Sequence, residues 1–294
     1  MRIAHISDFH CCHWPPQLCS VFDKRLLGSL NYLLKRRHQL DYRYLKRAIQ
    51  RIRMLGPDVV VISGDITCTG TPPEFQVALT ELQDILLAGL PFAMIYVPGN
   101  HDAYVRNSAC RQSLEQAFQR LNNKRWTLAD LPARLQVGEI EFIVANECRP
   151  TCCLSSAGRL TADAAATLRQ WLQQPRRQRG KRIRIGHFPL LDQRGHALGY
   201  RRRLYNAGVL AEALTTGSID VSLCGHIHDP YIRHETNGSL EICAGALTMF
   251  GKINVLDYSP ARQRFSQFWE DVADDGPAPV LRGKGFVPGG VLDS

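Results

Sequence analysis

Asp8 and His10, Asp65, Asn100 and His101, His187, and His226 and His228 each stand just past an apolar, β-branched run of this 294-residue chain. Carboxylate, imidazole and amide oxygen together suit Mn²⁺, Fe or Zn²⁺ rather than Ca²⁺, which prefers an all-oxygen shell. One carboxylate can bridge two cations, so these donors are enough for a dinuclear site. The DxH and HxH spacings have a geometric meaning, because alternate residues leaving a strand can point the same way and present two donors to one cluster. Taken singly, a DxH or a GD dipeptide is commonplace, and a lone histidine in a strand reads as core. Five such pieces in order, each at the end of an apolar run, read as one site.

The elements that must position these residues can be read from the same runs. "RIAHIS", "DVVVIS", "FAMIYV", "EFIVA", "RIRI" and "DVSLC" are short, apolar and closed by turn residues, the pattern of buried strands. In open α/β sheets the crevice beyond the strand C-termini is where ligands bind. Glycines at 64, 99, 186 and 225 are expected to let the backbone turn beside each donor. A crossover helix is expected over Tyr42–Leu55. Thr71-Pro-Pro-Glu74 predicts a helix with a capping box, running to about Ala88 and stopping at Gly89. Further helices are expected around residues 108–121 and from Thr161 to about Gln173. One α/β domain spans residues 1–272, and residues 273–294, rich in Gly and Pro, read as an extended or disordered tail.

A hydrophobic fraction of 45% and a charged fraction of 21% are those of a soluble globular protein. No run approaches the roughly 18 apolar residues that span a bilayer. The N-terminal "MRIAHISD" lacks signal-peptide character, so cytoplasmic residence is expected. The ten cysteines show no repeated spacing and read as mostly inert free thiols, with a soft-metal role for Cys11 or Cys12 as the competing reading. The net charge of +9 sits in two blocks: residues 20–53 carry a net +8 and residues 175–203 a net +9. Such blocks suit an anionic partner or two solvated helix faces.

"SDFH", "SGD", "PGNHD", "GHFP" and "GHIH" resemble, in order, the signature of the calcineurin-like metallophosphoesterases, over roughly residues 1–258. The resemblance implies a four-layer sandwich of two mixed β-sheets flanked by helices. It also implies two divalent cations, one held by Asp8, His10, Asp65 and His228, the other by Asp65 as bridge, Asn100, His187 and His226. Two cations about 3.5–4 Å apart lower the pKa of a bridging water, and the resulting hydroxide would attack phosphorus in line. His101 is placed to protonate the leaving oxygen, with Asp102 orienting its imidazole. Phe9 is the small departure, standing where many members have another apolar or small residue.

The distance from His10 to Asp65 exceeds what a strand–helix–strand link requires, so residues 11–40 read as a basic, amphipathic insert after the first strand. Phe22, Leu26, Leu30, Leu33 and Leu34 form a stripe at helical spacing, flanked by Lys24, Arg25, Lys35, Arg36 and Arg37. Gly28 in its middle costs roughly 1 kcal/mol of helix stability. Three readings compete: a structural cap, a lid lining an acyl-chain groove, or a helix lying in an anionic membrane interface, peripheral to the inner membrane. Arg201, Arg202 and Arg203 are candidates to clamp a second phosphate, or are simply solvent-exposed. The insert resembles that of the pyrophosphatases that hydrolyse UDP-2,3-diacylglucosamine in lipid A biosynthesis, which makes a lipid-linked nucleotide sugar the expected substrate. "PDVVVISGDIT" and "GNHDAY" resemble the class III cyclic-nucleotide phosphodiesterases. A nuclease would suit the basic charge, but no DNA-binding domain is evident, so nucleic acid is not an expected partner. A non-catalytic scaffold is disfavoured by the complete donor set.

Overall fold

Alternation along the strands decides the layers. In β1 (Arg2–Ile6), Ile3 points one way and Ala4 and Ile6 the other, and all three are fully buried. Ile3 joins Val59 and Val61 of β2 (Val59–Ile62) and Ile95 of β3 (Ala93–Tyr96) in a core between two sheets. Ala4, Ile6, Val60, Ile62, Met94 and Tyr96 belong to a second core on the opposite face. The computed structural model describes residues 1–13, 40–87, 93–152, 154–176 and 180–273.

That outer face is covered by helices. In α1 (Tyr42–Leu55) the buried residues Leu45, Ala48, Ile49 and Ile52 recur at spacings of three and four. Asp41 caps it by accepting from Arg43 N at 2.9 Å. Gly56, at φ 53°, ends it with a left-handed turn that a larger side chain resists. The capping-box helix is shorter than expected: α2 (Pro72–Glu81) stops, and α3 (Gln83–Leu87) follows after a one-residue break. The Glu74 carboxylate does accept from Thr71 N (3.1 Å), but also from Thr69 N (2.9 Å), so it ties the preceding loop as well as the helix start. With α4 (Ser108–Leu121) these helices form the first layer.

The first sheet runs β13–β12–β1–β2–β3, where β12 is Lys252–Ser259 and β13 Arg264–Asp271. The second contains β4 (Ala133–Val137), β5 (Ile140–Val144), β7 (Lys181–Ile185), β9 (Val221–Cys224), β10 (Tyr231–His234) and β11 (Leu240–Cys243). Its order is β10–β11–β9–β7–β5–β4, and both sheets mix parallel and antiparallel pairs. On its outer face α5 (Ala162–Gln173) and α6 (Gly208–Thr215) bury Leu168, Leu172, Leu210 and Leu214. A two-stranded ribbon pairs β6 (Gly158–Arg159) with β8 (Leu204–Tyr205), and a one-turn helix, α7 (Leu247–Phe250), precedes β12. Helices, sheet, sheet and helices make the four layers.

Two expectations need correcting, and others fall elsewhere. Cys12 is disulfide-bonded to Cys68, so it is neither a free thiol nor a metal ligand. Cys11 is packed in the apolar core, where burial pushes its thiol up and away from the thiolate a metal needs. The insert's two ends belong to the domain, since Cys11 bridges to Thr67 and Leu40 is buried. The leucine stripe of residues 22–34 and the tail beyond residue 273 lie outside the described residues. Among those described, no helix is long and apolar enough to cross a membrane.

Candidate metal centre

β1, β2 and β3 are parallel and end side by side, and their C-terminal loops stay paired through the main chain. Asp8 N donates to Gly64 O (3.0 Å), His10 N to Asp65 O (3.0 Å) and Cys11 N to Ile66 O (2.8 Å). This pairing forces Asp8, His10 and Asp65 into left-handed backbone, at φ 52°, 48° and 53°; His226, past β9, is at 68°. Non-glycine residues hold such angles only under constraint, at a cost of about 1 kcal/mol or more each, and they concentrate where function demands an orientation.

The side chains converge. His187 Nε2 lies 3.1 Å from Asn100 Oδ1 and 3.6 Å from Asp65 Oδ2, and His226 Nδ1 lies 2.8 Å from Asn100 Oδ1. His10 Nε2 and His228 Nε2 are 3.4 Å apart, and each is 3.9 Å from Asp8 Oδ1. Atoms that share one cation at about 2.0–2.2 Å stand about 2.8–4.3 Å from one another, from adjacent to opposite positions, so these separations suit metal ligation. Asp8, His10 and His228 form one potential ligand group and Asp8, Asp65 and His187 another; Asp65 also groups with His10 and His101. Asp8, His10 and Asp65 are thus each shared between two groups.

Main-chain carbonyls set the imidazole tautomers. His10 Nδ1 is 3.3 Å from Thr67 O, and His187 Nδ1 is 2.7 Å from Ser63 O. A carbonyl only accepts, so each Nδ1 carries the proton and each Nε2 presents its lone pair to the centre. His226 is turned the other way, with Nδ1 toward Asn100.

Two buried polar atoms have no hydrogen-bond partner here: Asp8 Oδ1 and His226 Nε2. The other Asp8 oxygen accepts from Ser7 Oγ (2.6 Å) and His226 N (3.0 Å), which leaves Oδ1 aimed at His10 and His228. Burial pushes the Asp8 carboxyl up to about 7, opposed by the field of His187. Burial, then His187 and Arg202, hold the His226 imidazole well below its usual range. Two carboxylates buried together in a dry cluster are costly without a strong counter-charge, and divalent cations at this place would supply it. The donors fit the group.

His101 is held similarly. Its Nδ1 lies 2.6 Å from Cys68 O, its ring stacks on Tyr104, and its N–H donates to Asp65 Oδ1 (2.7 Å). Asp102 does not orient this imidazole, contrary to expectation. Its buried carboxylate accepts from Thr67 N (2.9 Å), Thr67 Oγ1 (2.8 Å), Ile66 N (3.3 Å), Gly99 N (2.9 Å) and Tyr96 Oη (2.9 Å). It fastens the Asp65 loop to the Asn100 loop. The Cys68 carbonyl, in a residue cross-linked to Cys12, does the orienting instead.

The glycines matter for space more than for turning. Of Gly64, Gly99, Gly186 and Gly225, only Gly64 has a positive φ, 102°; at Gly99 a Cβ would strike the Asp65 carboxylate, and at Gly225 Ser7 Oγ and the Asp8 carboxylate. The three arginines do not act as one group. Arg201 lies over Tyr200, Arg203 over Tyr205, and Arg202 is the one whose charge reaches His226.

Sequence reading missed the residues beneath the ligands. Arg184 and Glu147, both fully buried, form an ion pair, and Glu147 accepts from Phe188 N (3.0 Å) just past His187. The signal was present in "RIRI", where an arginine alternates with isoleucines on a buried strand. Tyr42 Oη donates to His10 O (2.7 Å), and nothing in the sequence pattern marks it.

Two mixed sheets carrying a carboxylate, imidazole and amide cluster at the ends of their parallel strands define a two-sheet α/β protein with a candidate metal centre. The chain belongs to the calcineurin-like phosphoesterase family, whose sequence profile matches residues 1–230. Members of this family are phosphoester hydrolases that depend on a dinuclear metal site. The chain is 30% identical over 145 residues to the glycerophosphodiester phosphodiesterase GpdQ of Enterobacter lignolyticus, covering 46% of this chain and 42% of that protein. It is 26% identical over 143 residues to a component of the nuclease SbcCD of Staphylococcus saprophyticus, covering 48% of this chain and 33% of that protein. Both matches thus span less than half of those relatives' lengths. In fold it is similar to a dimetal phosphatase from Danio rerio, with a TM-score of 0.57 and 14% identity over 87% of this chain and 91% of that one.

Proposed function

We propose that this enzyme hydrolyses phosphodiester bonds, with Asp8, His10, Asp65 and His228 holding one divalent cation and Asp65, Asn100, His187 and His226 a second. The observation that carries the reading is the gathering of Asp8, His10, Asp65, His187 and His228 into overlapping ligand groups, with Asp8 Oδ1 buried and unpartnered among them. When bound, the cations supply an activated water and neutralise charge on the phosphoryl oxygens. Asp65 keeps the two halves of the site in register, fixed by His101 N on one oxygen. His101, with Nδ1 committed to Cys68 O, turns Nε2 toward the site and delivers a proton from that atom to the leaving oxygen. The diester preference draws on the relatives, which are a glycerophosphodiester phosphodiesterase and a nuclease component.

The finer expectation, a lipid-linked nucleotide sugar such as UDP-2,3-diacylglucosamine, rests on residues 22–38, outside the described residues, and is carried into the test as one arm. Purified protein loaded with Mn²⁺ is offered bis-p-nitrophenyl phosphate, p-nitrophenyl phosphate, 3′,5′-cyclic AMP and UDP-2,3-diacylglucosamine. Turnover of bis-p-nitrophenyl phosphate exceeding that of the monoester is expected. Monoester hydrolysis with no diester or pyrophosphate cleavage would overturn the reading.

A further inference from the structure

Outside the donor cluster, the structure holds a second concentration of unpaired charge. A cavity of about 700 Å³ is lined by Arg106, Arg149 and Arg201 together with Tyr200 and Tyr205, and among the described residues no carboxylate lines it. None of these arginines makes an ion pair among the described residues. Two more stand at its edge: Arg159 and Arg203 both lie over the Tyr205 ring, at 5.0 and 4.5 Å. The Arg159 Nε is buried and has no hydrogen-bond partner. Burial and the fields of Arg159 and Arg106 lower the pKa of Arg149, the sign of cations gathered without a counter-ion.

The cavity wall is built, not incidental. Ser156 N donates to Arg201 O (2.9 Å), Gly158 N to Arg203 O (3.1 Å) and Leu160 N to Tyr205 O (3.1 Å), which sews the Arg201–Tyr205 loop to the segment after Arg149. It lies beside the loop that carries Asn100. Arg149 and Pro150 wall an adjoining cavity of about 500 Å³ that reaches Asp102, next to His101. Arg149 follows Cys148, whose thiol donates to Pro98 O in the loop that carries Asn100.

Like charges gathered without acids are costly unless an anion joins them, and guanidinium forks match phosphate oxygens two at a time. We propose that the Arg106–Arg149–Arg201 cavity is a substrate subsite for a second phosphate group, carried by the same molecule as the phosphodiester that is cut. The inference rests on the phosphodiesterase reading. It separates substrates that bear a further phosphate, such as nucleotide diesters with a terminal phosphate, from simple diesters.

The test compares two substrates that differ only in that group: thymidine 3′-phosphate 5′-(p-nitrophenyl phosphate) and thymidine 5′-(p-nitrophenyl phosphate). The Mn²⁺-loaded wild type is expected to favour the first by about tenfold or more in kcat/KM, and the double variant Arg106→Gln/Arg149→Gln to lose that preference through KM. A wild type without preference, or a variant that keeps it, would overturn the subsite. Failure of both substrates to turn over would instead defeat the phosphodiesterase reading. The subsite is then read by calorimetry with thymidine 3′,5′-bisphosphate against thymidine 5′-phosphate. A wild-type advantage for the bisphosphate that vanishes in the variant supports the subsite, and equal binding of the two ligands overturns it.

Discussion

Asp102→Asn separates a residue that fastens the loops from one that tunes His101. The Asp102 carboxylate accepts five hydrogen bonds: one oxygen takes Thr67 N and Thr67 Oγ1, the other Ile66 N, Gly99 N and Tyr96 Oη. An asparagine amide offers only one acceptor oxygen. With its NH₂ on the Thr67 side, Thr67 Oγ1 can turn to accept, but Thr67 N loses its partner. With the NH₂ on the other side, Ile66 N and Gly99 N both lose theirs. The cheaper arrangement thus orphans one buried N–H, at about 1–3 kcal/mol, and weakens the remaining bonds by removing the charge. The expected loss is about 3 kcal/mol in the urea unfolding free energy of the metal-free protein. Weakened Mn²⁺ binding should accompany it, because the same bonds tie the Asp65 and Asn100 loops together. The residual activity should keep the wild-type pH profile, since the imidazole is held by Cys68 O. A destabilisation under about 1 kcal/mol, combined with a displaced pH limb of kcat, would refute this account and restore Asp102 as the partner of His101.

Other perturbations follow from the same geometry. His101→Ala should keep its full metal content by emission spectroscopy yet lose about 10²–10⁴-fold in kcat for a diester with an alkyl leaving group. Its loss for p-nitrophenolate, which needs little protonation, should be far smaller, and equal losses would count against the acid role. Gly99→Ala drives a Cβ into the Asp65 carboxylate, so activity should fall by about a hundredfold or more; near wild-type turnover would contradict the close approach. His5, buried between Ser63 and Asn254, has its pKa lowered by burial to about 3. The unfolded chain takes that proton near pH 6.5 and the folded one near 3, so stability is lost as pH falls through this window. Between pH 7.5 and 4.5 the metal-free wild type should lose about 2–3 kcal/mol more unfolding free energy than His5→Gln; parallel losses would show that His5 is not the source.

The donors were legible because each stands at the end of a run that could only be a buried strand. The helices at residues 42–55 and 108–121 were legible from their apolar periodicity. β4, β10 and β13 were not, since they carry polar residues such as Arg134, Gln136, Arg233 and Gln267 among their apolar ones and offer no continuous run. α2 breaks at Leu82 although the apolar pattern continues, because both segments pack on the same core as α4. The Cys12–Cys68 pairing and the orienting role of the Cys68 carbonyl depend on the loops after β1 and β2 lying side by side. Sequence spacing does not encode that contact. Asp102 stands beside His101 in the sequence, yet its carboxylate is taken up by Tyr96 of β3, by Gly99 in its own loop and by Ile66 and Thr67 from the loop after β2.

The central claim concerns where two cations sit, and anomalous scattering from Mn²⁺-soaked crystals addresses it directly. Two peaks about 3.5–4 Å apart are expected. One should lie within bonding distance of Asp8, His10, Asp65 and His228, the other of Asp65, Asn100, His187 and His226. A single peak, or a pair that leaves Asp65 out of the bridge, would contradict the account.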